Sequence, residues 1–171
     1  MSKFREITHD QFEHSPFKLL DKDWMLITAE MDGRVNTMTA SWGGFGVMWN
    51  KSVVYVVIRP QRYTKEFVDQ SSTFSLSFFD KSYKKQLGYL GSVSGRDTDK
   101  IKTSDLTVIN AEDNGTPYFE EANMIVLCKK LYAQEIKPEY FIEQGLDEKF
   151  YPDQDYHTLY IAEVSKILVA E

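Results

Sequence analysis

The sequence predicts a mainly β protein, an antiparallel barrel of about six strands with short helices between them. Three observations carry this reading. Residues 53–58 (VVYVVI) form an unbroken β-branched run, and residues 73–79 (TFSLSFF) alternate with a period of two. The helical patterns are short and scattered, so they do not build the strand–helix–strand units of a parallel sheet. No GxGxxG is present, and the GGFG of residues 43–46 does not open a helix, which excludes a dinucleotide-binding α/β fold.

Taken in order, residues 24–30 (WMLITAE) read as a strand. The turn Met31-Asp32-Gly33-Arg34 follows, where Asp-Gly favours a tight hairpin, and 35–41 is the returning partner. The run 53–58 reads as a strand covered on both faces. Residues 64–70 (TKEFVDQ) read as a helix with Thr64 as N-cap and Tyr63 stapled to Val68. In the next strand Phe74, Leu76 and Phe78 share one face, with Ser75 and Ser77 on the other. Residues 80–90 read as a second helix, capped by Asp80, with Tyr83, Leu87 and Leu90 on one stripe. Two long strands, 124–136 and 157–169, complete the set.

Glycine and proline are spread thinly and nothing repeats, so a single domain over residues 1–171 is expected. The 11 Phe, 10 Tyr and 3 Trp supply a real core. A formal net charge of −6 leaves no general basic field for nucleic acid. The one cysteine, Cys128, rules out an intramolecular disulfide or a cysteine-ligated cluster and reads as a small buried hydrophobe in a strand. His9 and His14 lie five apart, the wrong spacing for a shared metal on one helical face, so no metal site is expected. The N-terminal stretch lacks the apolar segment of a signal peptide, and no apolar run approaches the roughly 20 residues a bilayer requires. A cytoplasmic protein without a membrane partner is the expectation.

Two stretches carry chemistry. NTMTASWGGFGVMW, residues 36–49, crowds three glycines and two tryptophans into fourteen residues. Glycine weakens a strand and is kept where the backbone turns sharply or something approaches closely. We read a flat ligand lying against this backbone, with the hydroxyls of Thr37, Thr39 and Ser41 at its polar edge and Trp42 or Trp49 over its apolar part. The alternative is that both tryptophans are simply core. The second stretch is IRPQRYTKEF, residues 58–67, where a buried strand ends and a helix begins. It gathers Arg59, Arg62 and Lys65 with the hydroxyls of Tyr63 and Thr64, a set suited to a phosphate. The alternative is a solvated basic turn. A flat, polar-edged ring joined to a phosphate describes FMN.

The combination of Asn36-Thr37-Met38-Thr39-Ala40-Ser41-Trp42, Ile58-Arg59-Pro60 and Arg62-Tyr63-Thr64 resembles the flavin reductase-like, FMN-binding split-barrel family, flavoredoxin-like proteins included. The run Ser94-Gly95-Arg96-Asp97-Thr98-Asp99-Lys100 and the late strand around His157-Thr158-Leu159-Tyr160 strengthen the resemblance, which covers roughly residue 24 to the end. The family usually carries glycine where Ala162 stands.

The resemblance implies a six-stranded antiparallel split β-barrel with a Greek-key layout, assembled as a homodimer with FMN near the interface. It implies that Asn36 and the run Met38, Thr39, Ala40, Ser41 and Trp42 address the flavin ring, mostly through backbone. Arg59, Arg62, Tyr63 and Thr64 would hold the phosphate and ribityl chain. Lys100 would lie near the cofactor or pair with Asp97 and Asp99. The implied activity is hydride transfer from NAD(P)H to flavin. The alternatives are a flavoredoxin-type electron carrier between protein partners, or a non-catalytic binding barrel. Because the cofactor carries the hydride chemistry, no catalytic side chain is expected, and His157 reads as a strand or interface histidine.

Overall fold

The computed structural model describes residues 3–171, so Met1 and Ser2, which the single-domain and N-terminal readings include, lie outside the described residues. A short strand β1 (Phe4–Ile7) comes first, followed by β2 (Met25–Met31) and β3 (Arg34–Ala40) joined through the Asp32-Gly33 turn. Both turn residues adopt positive φ (52° and 74°), as a tight hairpin of this hand requires. β4 (Gly43–Met48) and β5 (Lys51–Ile58) form the next hairpin, through Trp49 and Asn50 at φ 53° and 56°. Helix α1 (Thr64–Gln70), β6 (Thr73–Phe78), α2 (Lys84–Ser92) and α3 (Lys100–Thr103) follow. The small hairpin of β7 (Val108–Asn110) and β8 (Pro117–Phe119) precedes β9 (Met124–Glu135), α4 (Leu146–Phe150) and β10 (Thr158–Ala170).

The strands pair antiparallel in the order β3-β2-β6-β9-β10-β5-β4, and β1 adds to β10. The mainly β class of the sequence reading stands, as an antiparallel split barrel. Among the described residues the main sheet has eight strands where six were expected. The extra two are β1, too short to stand out, and β4, whose glycines read as a ligand-binding turn. One side of β10 is divided between partners: residues Thr158 to Glu163 pair with β5, and Ile167 to Ala170 with β1. A register shift against β9 falls between Ile161 and Ala162, where the small side chain of Ala162 is fully buried opposite Val54.

Two cores result. Inside the barrel pack Ile27, Met38, Val54, Val56, Ile58, Phe74, Leu76, Phe78, Val126 and Tyr160. Outside it, Leu26, Leu87, Leu90, Phe119, Ile125 and Leu127 bury the other sheet face under α2 and the β7–β8 hairpin. The serine side of β6 is therefore buried too, and Ser75 Oγ donates to the Pro117 carbonyl at 2.6 Å. Cys128 is a buried core residue whose thiol is pushed up by burial.

The structure corrects three local expectations. β5 is fully covered on one face and only partly on the other: Val54, Val56 and Ile58 are buried, while on the opposite face Val53 is buried, Val57 half-buried and Tyr55 exposed. The N-cap of α1 is Tyr63, with helical dihedrals and no capping bond; Thr64 is already inside the helix, buried. Tyr63 packs edge-on against Phe67 at 5.0 Å and against the core cluster that includes Val68. The second helix begins as a 3-10 turn, Lys81–Tyr83, and Asp80 caps it through the Ser82 N–H at 2.9 Å.

One backbone outlier stands just before β2. Trp24 has φ 68° and ψ 171°, a region almost reserved for glycine, which costs on the order of 1–3 kcal/mol. The side chain is half-buried against the outer core. In the barrel core, Phe74→Ala is expected to lower the unfolding free energy by about 3–5 kcal/mol, since Phe74 is 1% exposed and its removal leaves a cavity. Urea denaturation of the two proteins measures this as a shift in midpoint.

Candidate functional site

β3 and β4 are consecutive in the chain yet lie at opposite ends of the strand order, unpaired with one another. Gly43 allows the parting: its φ is 159°, and a Cβ there would collide with the Tyr55 carbonyl of β5. A cavity of about 560 Å³ opens beside this split, within the range of cofactor sites. β3 and its exit (Met38 to Trp42) form one side, α2 (Leu87, Gly88, Gly91) the facing side, and Arg59, Arg62, His157 and Trp24 the ends.

Two contacts hold α2 against the free edge of β3. Thr39 Oγ1 donates to the Leu87 carbonyl at 2.5 Å. Arg62 Nη1 donates to the Gly91 carbonyl at 3.1 Å and Nη2 to the Thr39 carbonyl at 3.3 Å. α2 approaches closely because Gly91 has no side chain: a Cβ there would come within 3.1 Å of Thr39 Cβ. A Cβ on Gly88 would meet nothing within 4 Å, so bare helix backbone borders open cavity at that point.

The electrostatics are lopsided. Arg59 pairs with the Asp155 carboxylate, donates to the Phe150 carbonyl at 2.7 Å and lies over the Tyr151 ring. Gln61 and Arg59 together hold the Asp155 carboxyl below its usual range. Arg62, by contrast, makes no ion pair among the described residues. Neither does Lys100, which is 4% exposed and donates to the Leu90 and Val93 carbonyls at 2.9 and 3.1 Å. Burial lowers the pKa of both cations, and Lys100, which also feels the Arg62 charge, is brought down to about 8. Two cations at the C-terminal end of α2 thus donate to backbone carbonyls and have no carboxylate partner among the described residues.

His157 is 8% exposed and hydrogen-bonded through Nδ1 to Tyr151 Oη at 2.8 Å. Burial, then the Arg59 charge, brings its pKa to about 4, so the ring is neutral at pH 7. It packs 5.2 Å from Trp42, which also touches Phe150.

Of the residues singled out from the sequence, Met38, Thr39, Ala40, Ser41, Trp42, Arg59 and Arg62 line the cavity together. Asn36, Tyr63 and Lys100 line a neighbouring groove with Arg34 and Arg96. Thr64 is 1% exposed, and its Oγ1 accepts from Asn36 Nδ2 at 3.0 Å. Three suggestions are corrected. Thr37 is fully buried, bonded to Thr28 and the Ile27 carbonyl. Trp49 sits exposed at the β4–β5 turn. Lys100 serves carbonyls, not Asp97 or Asp99, and Asp99 caps α3 instead. Trp24, His157 and the α2 glycines were missed. Gly88 and Gly91, three apart inside a helical pattern, were the available signal, since glycine in a helix costs about 1 kcal/mol and is kept for a reason.

The family described as Flavin reductase like domain matches residues 19–171, and the chain belongs to it. An uncharacterized protein of Aeropyrum pernix is 32% identical over 103 residues, a match spanning 60% of this chain but only 39% of that protein. The fold is similar to that of flavoredoxin from Methanosarcina acetivorans, with a TM-score of 0.70 at 21% identity over 87% of this chain and 69% of the other. It is also similar to an FMN-binding domain of a flavin reductases-like enzyme from Shewanella baltica, with a TM-score of 0.72 at 19% identity over 98% and 77%. These likenesses carry the fold.

The buried neutral histidine has a stability signature. Its folded pKa of about 4 lies below the 6.5 of a free imidazole, so the unfolded chain binds the extra proton between those values. The contribution is complete above pH 6.5 and is lost as pH falls towards 4, by up to about 3 kcal/mol. Urea unfolding at pH 7 and pH 4.5 is expected to show a steeper loss for the parent than for His157→Gln.

Proposed function

We propose that this member of the flavin reductase-like family binds FMN in the cavity beside the β3–β4 split and acts as an oxidoreductase, taking hydride from NAD(P)H. The observation that carries the reading is the charge of Arg62, unpaired with any carboxylate among the described residues, at one end of a cavity whose other end is aromatic, with the buried Lys100 ammonium close enough to feel that charge. A buried cation without a carboxylate partner is costly, and a phosphate of nearly two negative charges relieves that cost for both groups. The donor set fits. Arg62 spends two N–H groups on carbonyls and keeps others for an anion. The bare backbone at Gly88 leaves room for a flat ring, and the Thr39 and Ser41 region supplies polar atoms along the opposite side.

When bound, FMN supplies the hydride-accepting chemistry. The chain contributes position and environment. Arg62 fixes the anionic end, and the backbone of Ala40, Ser41 and Trp42 borders the ring. Arg59, through Asp155 and the Phe150 carbonyl, holds the segment that carries Phe150 and Tyr151 against His157 and Trp42. No side chain of this wall is poised to exchange a proton at neutral pH, since His157 stays neutral and Arg59 stays paired.

The cavity opens on one side into an apolar depression of about 700 Å³, shared through Ser41, Trp42 and Val57 and edged by Phe17, Leu20 and Tyr55. Phe17 is 86% exposed there, and Val47, Met48 and Trp49 project from the adjoining hairpin. We propose that a second copy of the chain covers this face as a homodimer, which sedimentation analysis tests. Such a surface would equally serve a redox partner protein, the electron-carrier reading. Rapid bleaching of the bound flavin by NAD(P)H alone favours the enzyme over the carrier.

Soaking with FMN followed by desalting is expected to leave a two-band flavin absorption spectrum on the protein. Arg62→Ala is expected to weaken FMN roughly 10- to 100-fold through loss of a charge-assisted phosphate contact. Unchanged affinity in a fluorescence titration would remove Arg62 from the site.

A further inference from the structure

Trp24 combines three features that its place at the start of a strand does not explain. Its backbone is held in a conformation suited to glycine. The Lys84 ammonium lies 3.3 Å from the centroid of its indole ring, a close cation–π contact. The same ammonium donates to the carbonyls of Lys22 and, at 3.2 Å, Asp23, so it clamps the ring and the strained backbone leading to it together. Trp24 nevertheless lines the cavity, in company with Ala40, Ser41 and Trp42.

The helix sets the scale. Lys84, at the Trp24 end, and Gly91, at the Arg62 end, are seven residues apart on α2, about 10 Å at 1.5 Å per residue. An anion held by Arg62 therefore leaves the space near Trp24 for whatever flat group lies at the far end of the same ligand. One face of the indole belongs to Lys84, part of the ring packs on the outer core, and part lines the cavity.

We propose that Trp24 is a specificity-determining residue, the fixed wall against which the fused ring of the bound flavin packs, with Lys84 as its positioning residue. The inference rests on the flavin reading above and adds to it a separation of roles: Trp24 selects the ring, and Arg62 selects the phosphate. An indole held by the Lys84 ammonium and the outer core is already oriented before the ligand arrives, so little side-chain freedom is lost on binding.

The test uses the full chain and two probes, FMN and lumiflavin, which has the flavin ring without the phosphate-bearing chain. Trp24→Leu is expected to weaken both probes by the same factor, roughly tenfold. Arg62→Ala is expected to weaken FMN and leave lumiflavin unchanged. Lys84→Met, which keeps the stem and removes the charge, is expected to give a smaller loss for both probes. Trp24→Phe retains an aromatic wall and is expected to restore most of the affinity, which a purely structural role in the outer core would not separate from Trp24→Leu at equal melting temperature. Parent-like binding of both probes by Trp24→Leu would overturn the inference while leaving the flavin reading intact. So would a loss confined to FMN. A parent protein that binds neither probe would overturn both.

Discussion

Arg62 bridges the free edge of β3 to the end of α2 through two carbonyl oxygens, with no carboxylate partner among the described residues. Most of the site depends on that bridge. Without it the Thr39 and Gly91 carbonyls would need other donors, and the helix would lose its seat against an edge strand that lacks a further β partner. Lys100 satisfies the neighbouring Leu90 and Val93 carbonyls in the same way. The two side chains therefore solve a structural problem, the exposed end of a helix, with groups that also create an unanswered positive charge. The anion proposed above would complete an arrangement the fold has already set up.

The barrel was legible where one physical signal dominated. The β-branched run of β5, the alternation of β6 and the Asp32-Gly33 turn each specify backbone geometry locally, and each element lies within a few residues of its expected place. β4 was not legible, because Gly43, Gly44 and Gly46 remove the side-chain pattern that marks a strand; its pairing to β5 is set by the hairpin instead. The burial of Ser75 and Ser77 was equally hidden, since it depends on the β7–β8 hairpin arriving from forty residues downstream.

The site was half legible for a related reason. Thr39, Ser41, Trp42 and the two arginines stood out by residue type within short stretches, and the family resemblance added Met38 and Ala40. Arg59 and Arg62 looked equivalent in sequence, yet only Arg59 meets a carboxylate, from Asp155 some ninety-six residues away. Asn36 and Thr64, twenty-eight residues apart, are hydrogen-bonded to each other, a pairing the sequence does not show. Trp24 gave no warning, because backbone strain is a property of the assembled molecule and not of the residue type.

The position of β10 has a consequence for how the chain is made. This strand lies between β9 on one side and both β5 and β1 on the other, so it ties the earliest residues of the fold to the latest. No arrangement of the first hundred and fifty residues can complete the sheet. Until residue 170 has left the ribosome, β5 and β9 expose the edges that β10 will occupy, and the apolar residues of the barrel interior remain open to water. A nascent chain carries these sticky strand edges until β10 has emerged.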